Sequence, residues 1–182
     1  APPRRVLYLE MFLVLMVSLG ESAVYATLSI VEKLTRNVPL GQQTTSMNNS
    51  AVPDRPWLDL AYQVAYIVLP LAPVALCLYL LAVHLRPAEG PFRAMGFDLT
   101  RPWRDLGWGS AIFAGIGVAG LAFYLGAVAL GLNTQVSPAN LSANWWTVPV
   151  LVLLAIKNAV LEEVLMVGFL FTRWAQTGRA MW

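Results

Sequence analysis

The sequence predicts an all-α integral membrane protein, a multi-helix transmembrane bundle with four spans. Three observations predict it. Hydrophobic residues make up 58% of the chain and charged residues only 12%, against about 25% charged in soluble domains, too little polar surface to face water. Apolar runs long enough to cross a bilayer, about 20 residues, occur four times, at Val6–Ile30, Leu58–Leu85, Gly109–Leu132 and Val148–Trp174. Trp57, Trp103, Trp108, Trp145, Trp146, Trp174 and Trp182 fall at the ends of these runs or between them. Tryptophan collects at the lipid–water boundary because its ring is apolar and its N–H needs a partner.

The first run opens with Arg4 and Arg5, as a signal peptide would. Glu10 and Glu21 interrupt it, however, and it continues through Ile30, so a span is the better reading. The stretch "NVPLGQQTTSMNNSAVPDRP" that follows is rich in Pro, Asn, Gly and Ser and reads as a loop, as does "NTQVSPANLSAN" after the third run. Between the second and third runs, "GFDLTRPWRDLGWG" alternates aromatic and charged residues. Thr100 can cap a short helix there and Pro102 suits its first turn, so that Trp103 and Trp108 would lie at the interface.

Charge placement sets the expected orientation. Arg86, Arg93, Arg101 and Arg104 lie between the second and third runs, whereas Asn133–Thr147 carries no Lys or Arg. Arg4, Arg5, Arg173 and Arg179 flank the outermost runs, so both ends of the chain are expected on the cytoplasmic side of a cytoplasmic membrane. Lys33, Arg36 and Arg55 in the first outer loop dilute this bias without reversing it. The whole of residues 1–182 is expected to form one transmembrane helical domain, the N-terminal part of a longer chain. Membrane lipids, and other membrane subunits, are the expected partners. The net charge of +2 is small and scattered, so nucleic acid is not.

Two patterns mislead. "GIGVAG" (Gly115–Gly120) fits the dinucleotide motif GxGxxG but follows no strand and lies within a span. Its glycines belong instead to a stripe of small residues, Ala111, Gly115, Ala119, Ala122 and Gly126, that would let a neighbouring helix approach closely. His84 and Cys77 are the only residues of their types. A metal site needs several such ligands, so no metal is expected, and no cofactor is named. Cys77 reads as a small apolar residue and His84 as an interfacial anchor.

Ionisable residues inside a span are costly and therefore functional candidates. Glu10 and Glu21 are eleven residues apart, close to three α-helical turns, and would share a face. Glu10 is expected to snorkel to the inner interface. Glu21 lies roughly 14 Å from the outer end of its span by helix rise, about the depth that Lys157 reaches in the fourth, and these two are expected to pair. Glu162 shares a helix face with Asn158 and Met166, and Glu163 with Ala159 and Val167. A carboxylate in a low-dielectric site beside a like charge suits a general base able to take a proton from water. The alternative is a pair that only locks helices together by hydrogen bonds.

The stretch "LEEVLMVGFL" resembles the first signature of the CPBP family, the intramembrane proteases that include CAAX prenyl endopeptidases and bacteriocin self-immunity proteins. That signature is a Glu pair, three residues, an Arg, then usually Gly, an aromatic and Leu. Glu162, Glu163, Gly168, Phe169 and Leu170 match it, and "SLGESAVYATLSIV" and "PDRPWLDLAYQ" are similar to the actinobacterial branch. The resemblance implies a glutamate-dependent endopeptidase in which Glu162 activates the attacking water and Glu163 is its partner. It also implies two later helices bearing histidines and an Asn or Asp. Val167 stands where the family has its Arg, and neither later motif occurs within the 182 residues. An accessory subunit of a membrane transport complex built on the same fold is therefore the second reading. An ion or proton pathway through Glu10, Glu21, Lys157 and Glu162 is the third.

Overall fold

A computed structural model describes residues 2–84, 90–96 and 100–178. Arg86, Arg179, Trp182, the Phe97–Leu99 part of the inner loop and the side chain of His84 lie outside that description. The chain is mostly helical, and three helices are long and apolar enough to cross a membrane: Arg4–Thr35, Pro56–Val83 and Pro102–Ala129. The fourth expected span, Val148–Trp174, is not among them. It lies within unbroken helical turns, Thr147–Glu162, Glu163–Leu170 and Phe171–Gln176, but Lys157, Glu162 and Glu163 interrupt its apolar character.

The chain divides into two compact units. The first contains residues 1–25, 50–97 and 142–182. Its core joins the first, second and fourth helices at one end through Met11, Val14, Cys77, Leu81, Leu165 and Phe169. Cys77 is thus a core residue rather than a reactive one. Toward the other end, Trp146, Val150 and Leu154 pack on Leu60 and Ile67 of the second helix. Trp146 is therefore buried, unlike Trp145 beside it, which keeps the exposed position expected of interfacial tryptophan.

Local chemistry explains how the second helix starts. Pro56 occupies its first turn, where a missing N–H costs nothing. Asp59, only 1% exposed, accepts hydrogen bonds from the backbone N–H groups of Ala51 (2.8 Å) and Val52 (3.4 Å). This carboxylate in the first turn satisfies loop donors and complements the positive end of the helix dipole.

The second unit contains residues 26–49 and 98–141. Its helix Pro102–Ala129 is unbroken, so Trp103 and Trp108 sit on the first turns of a long helix and not on a separate flat one. Arg101 rather than Thr100 stands at its N-cap, and Pro102 takes the first-turn position expected of it. The helix ends in a Schellman turn. The Leu132 N–H reaches the Ala127 carbonyl (2.9 Å) and the Gly131 N–H the Val128 carbonyl (2.9 Å). Gly131 has φ of +71°, which a residue without Cβ adopts freely.

The two segments expected to be plain loops contain a short parallel ribbon. Strand β1 (Thr44–Ser46) pairs with β2 (Gln135–Ser137) in the register Thr44↔Gln135, Thr45↔Val136, Ser46↔Ser137. The Thr45 and Thr134 hydroxyls are bonded at 2.8 Å, and the Asn48 side-chain amide donates to the Pro138 carbonyl at 2.8 Å. The Tyr124 hydroxyl accepts from the Val136 N–H at 2.8 Å.

Candidate functional site at mid-helix depth

Three helices of the first unit lose regular α geometry at one level. The first widens into a π turn at Met16–Gly20. The second tightens into a 3-10 turn at Leu69–Leu71, around Pro70 and just before Pro73. The fourth becomes a π turn from Glu163 to Leu170. The causes differ. Pro70 has no N–H to give the carbonyl four residues earlier, whereas a π turn inserts an extra residue per turn and re-aims the side chains beside it. Irregular backbone at membrane depth is tolerated where it lines a polar cavity or is covered by protein.

A cavity of about 730 Å³ lies at this level. Its polar lining is Ser18, Glu21 and Ser22 from the first helix and Lys157, Asn158 and Glu162 from the fourth. The second helix contributes apolar wall through Leu69, Pro70, Ala72 and Pro73. Ser18 donates its hydroxyl proton to the Val14 carbonyl at 2.7 Å, which leaves the hydroxyl oxygen as an acceptor.

The structure thus brings together Glu21, Lys157, Asn158 and Glu162, four of the residues singled out by sequence. The expected Glu21–Lys157 ion pair does not form. Among the described residues neither makes an ion pair within 4 Å, although both line the cavity. Glu163 is not among the lining residues, and the core-facing side of this turn is taken by Val164, Leu165, Gly168 and Phe169. Gly168 is where Met95 crosses the helix, and a Cβ there would meet the Met95 sulfur. Val167 is partly exposed and supplies no charge. Among the described residues no three His, Cys, Asp or Glu side chains converge as metal ligands.

Glu10 and Glu21 do not serve one face. The π turn between them breaks the three-turn spacing, and Glu10 goes to a different partner. Its Oε2 lies 3.0 Å from Arg173 Nη2, and the Arg173 side chain is 0% exposed. The same guanidinium donates to the Leu80 carbonyl (2.7 Å) and to Gln176 Oε1 (2.8 Å). It also lies 5.4 Å from the centre of the Phe169 ring. Glu10 is therefore a buried ion-pair partner and not a snorkelling residue. Arg173, counted above only as an inner-flank charge, joins three helices. Both residues lie near the inner ends of their expected spans, which is the sequence signal for this pair.

Within the second unit the glycines of the small-residue stripe meet no neighbour. No residue of Pro102–Ala129 is buried, Ala119 is exposed, and a Cβ added at Gly115 or Gly126 would meet nothing within 4 Å. The close helix approach expected from Gly115, Ala119 and Gly126 is thus not made within that unit. Large apolar side chains such as Phe113, Ile116 and Phe123 are also exposed on this helix, as suits contact with lipid.

No family model, curated protein or solved structure matches this chain.

Proposed function

We propose that this is a multi-pass protein of the cytoplasmic membrane belonging to the CPBP group of glutamate-dependent intramembrane endopeptidases. All four helices span, and both flanks of the stretch lie on the cytoplasmic side. The observation that carries the reading is the placement of Glu162 on a mid-helix cavity that also presents Asn158, Lys157 and Glu21. In this reading Glu162 takes a proton from water as the oxygen attacks a peptide carbonyl. It then returns that proton to the departing amine. Glu163 is its partner in the signature, and histidine and Asn or Asp groups of further helices stabilise the oxyanion. Lys157 and Glu162 line the cavity, which makes a span of the fourth helix tolerable.

The test is a comparison of membranes carrying the full-length wild type with those carrying Glu162→Gln at equal abundance, by mapping protein termini. The expected result is loss of one or more cleavage products in the variant. An unchanged set of termini would overturn the reading.

A second reading, a non-catalytic subunit of a membrane transport assembly, is favoured by Glu163 standing off the cavity with Val167 in place of the family's Arg. Under it Glu162→Gln leaves all termini unchanged and weakens a complex recovered in mild detergent.

A further inference from the structure

The cavity holds more acid than base. Glu21, Glu162 and Lys157 are its ionisable side chains, two carboxylates to one ammonium. Among the described residues, no ion pair within 4 Å joins them. The second helix adds only Leu69, Pro70, Ala72 and Pro73 to the wall, none of which titrates. Acceptors thus predominate where the first and fourth helices face each other. A carboxylate accepts only, and the Ser18 hydroxyl has already given its proton to Val14. The group that complements such a lining is cationic and rich in donors. Ammonium and guanidinium side chains have donors and no acceptor.

The shape indicates how such a group arrives. On the inner side of the cavity the first helix is anchored by Leu7, Met11 and Val14, all buried. Beyond it, from Glu21 to Tyr25, every residue is exposed. The cavity is therefore closed on the inner side and open alongside Glu21. We propose that it selects a membrane-inserted polypeptide segment carrying a lysine or arginine at mid-bilayer depth, and that Glu21 is the specificity-determining residue that receives the basic side chain. This rests on the endopeptidase reading and names its substrate class: a membrane-embedded segment with a basic residue near the cleaved bond. Glu162 keeps its role as base, and Glu21 contributes recognition alone.

The experiment measures binding without cleavage. The full-length protein is reconstituted in phosphatidylcholine vesicles with single-span Leu/Ala peptides that carry a photoreactive benzophenone beside one central residue, Lys, norleucine or Glu. Crosslinks are mapped by mass spectrometry. The lysine peptide is expected to label residues 17–22 and 157–166 at roughly fivefold the norleucine yield, the scale of one modest charge contact. Glu21→Gln should bring the lysine peptide down to the norleucine yield, and Glu21→Asp should restore the difference. Equal labelling by lysine and norleucine peptides on the wild type, or preference for the glutamate peptide, would overturn the proposal. Failure of the endopeptidase reading shows separately, as unchanged termini with Glu162→Gln.

Discussion

Arg173 Nη2 and Glu10 Oε2 meet at 3.0 Å between the first, second and fourth helices, the arginine side chain fully buried and the glutamate 12% exposed. Breaking one half of a buried pair leaves the other charge uncompensated, which costs about 3–5 kcal/mol. Arg173→Met should therefore lower the thermal midpoint in mild detergent sharply. Adding Glu10→Gln to it should recover a large part of the loss. Additive losses in that double-mutant cycle would show that the two side chains do not act as a pair.

Asp59 holds the entry to the second helix through the Ala51 and Val52 N–H groups. Asp59→Ala removes the charged acceptor of these two partly buried N–H groups, at about 1–3 kcal/mol. Amide hydrogen exchange at residues 51 and 52 is expected to accelerate markedly in Asp59→Ala and less in Asp59→Asn, which retains a carbonyl acceptor. Unchanged exchange in both would rule out the capping role.

Gly168 lies against Met95 with no room for a Cβ. Overpacking typically costs about 1–3 kcal/mol, so Gly168→Ala should be destabilised by an amount in that range, reduced because the methionine side chain can shift. Met95→Ala should relieve it. A Gly168→Ala midpoint equal to wild type would mean that Met95 does not occupy that groove.

Gly115 offers the contrast, since a Cβ there meets nothing within 4 Å. Gly115→Ala is expected to leave the thermal midpoint unchanged or to raise it, because alanine adds about 1 kcal/mol of helix propensity. A clear loss would reveal a helix packed on that stripe.

The membrane helices were legible because their signal is summed over about 20 residues, and because Pro56 and Pro102 fall where a helix tolerates proline. The cavity was partly legible. Charges are so disfavoured in a span that Glu21, Lys157 and Glu162 stood out singly, and all three reached one site. Their geometry was not legible, because spacing arguments assume uniform α turns and the first and fourth helices each contain a π turn. Arg173 was hidden by its position near a helix end, where flanking arginines are ordinary. The β1–β2 ribbon left no trace, since three-residue strands in polar stretches have no periodicity to read. Gly115 and Gly126 show the opposite case, a motif whose partner their own unit does not supply.

That ribbon has a consequence for how the protein is made. Thr45 must wait 89 residues for Thr134. At about 5–20 residues per second, that is several seconds of translation. During that interval the segment after the first helix has no strand to pair with. The ribbon is thus knitted only once the helix Pro102–Ala129 has been made. A ribosome stalled before Gln135 would leave Thr44–Ser46 with unsatisfied edges, open to whatever folding factor or protease meets it first.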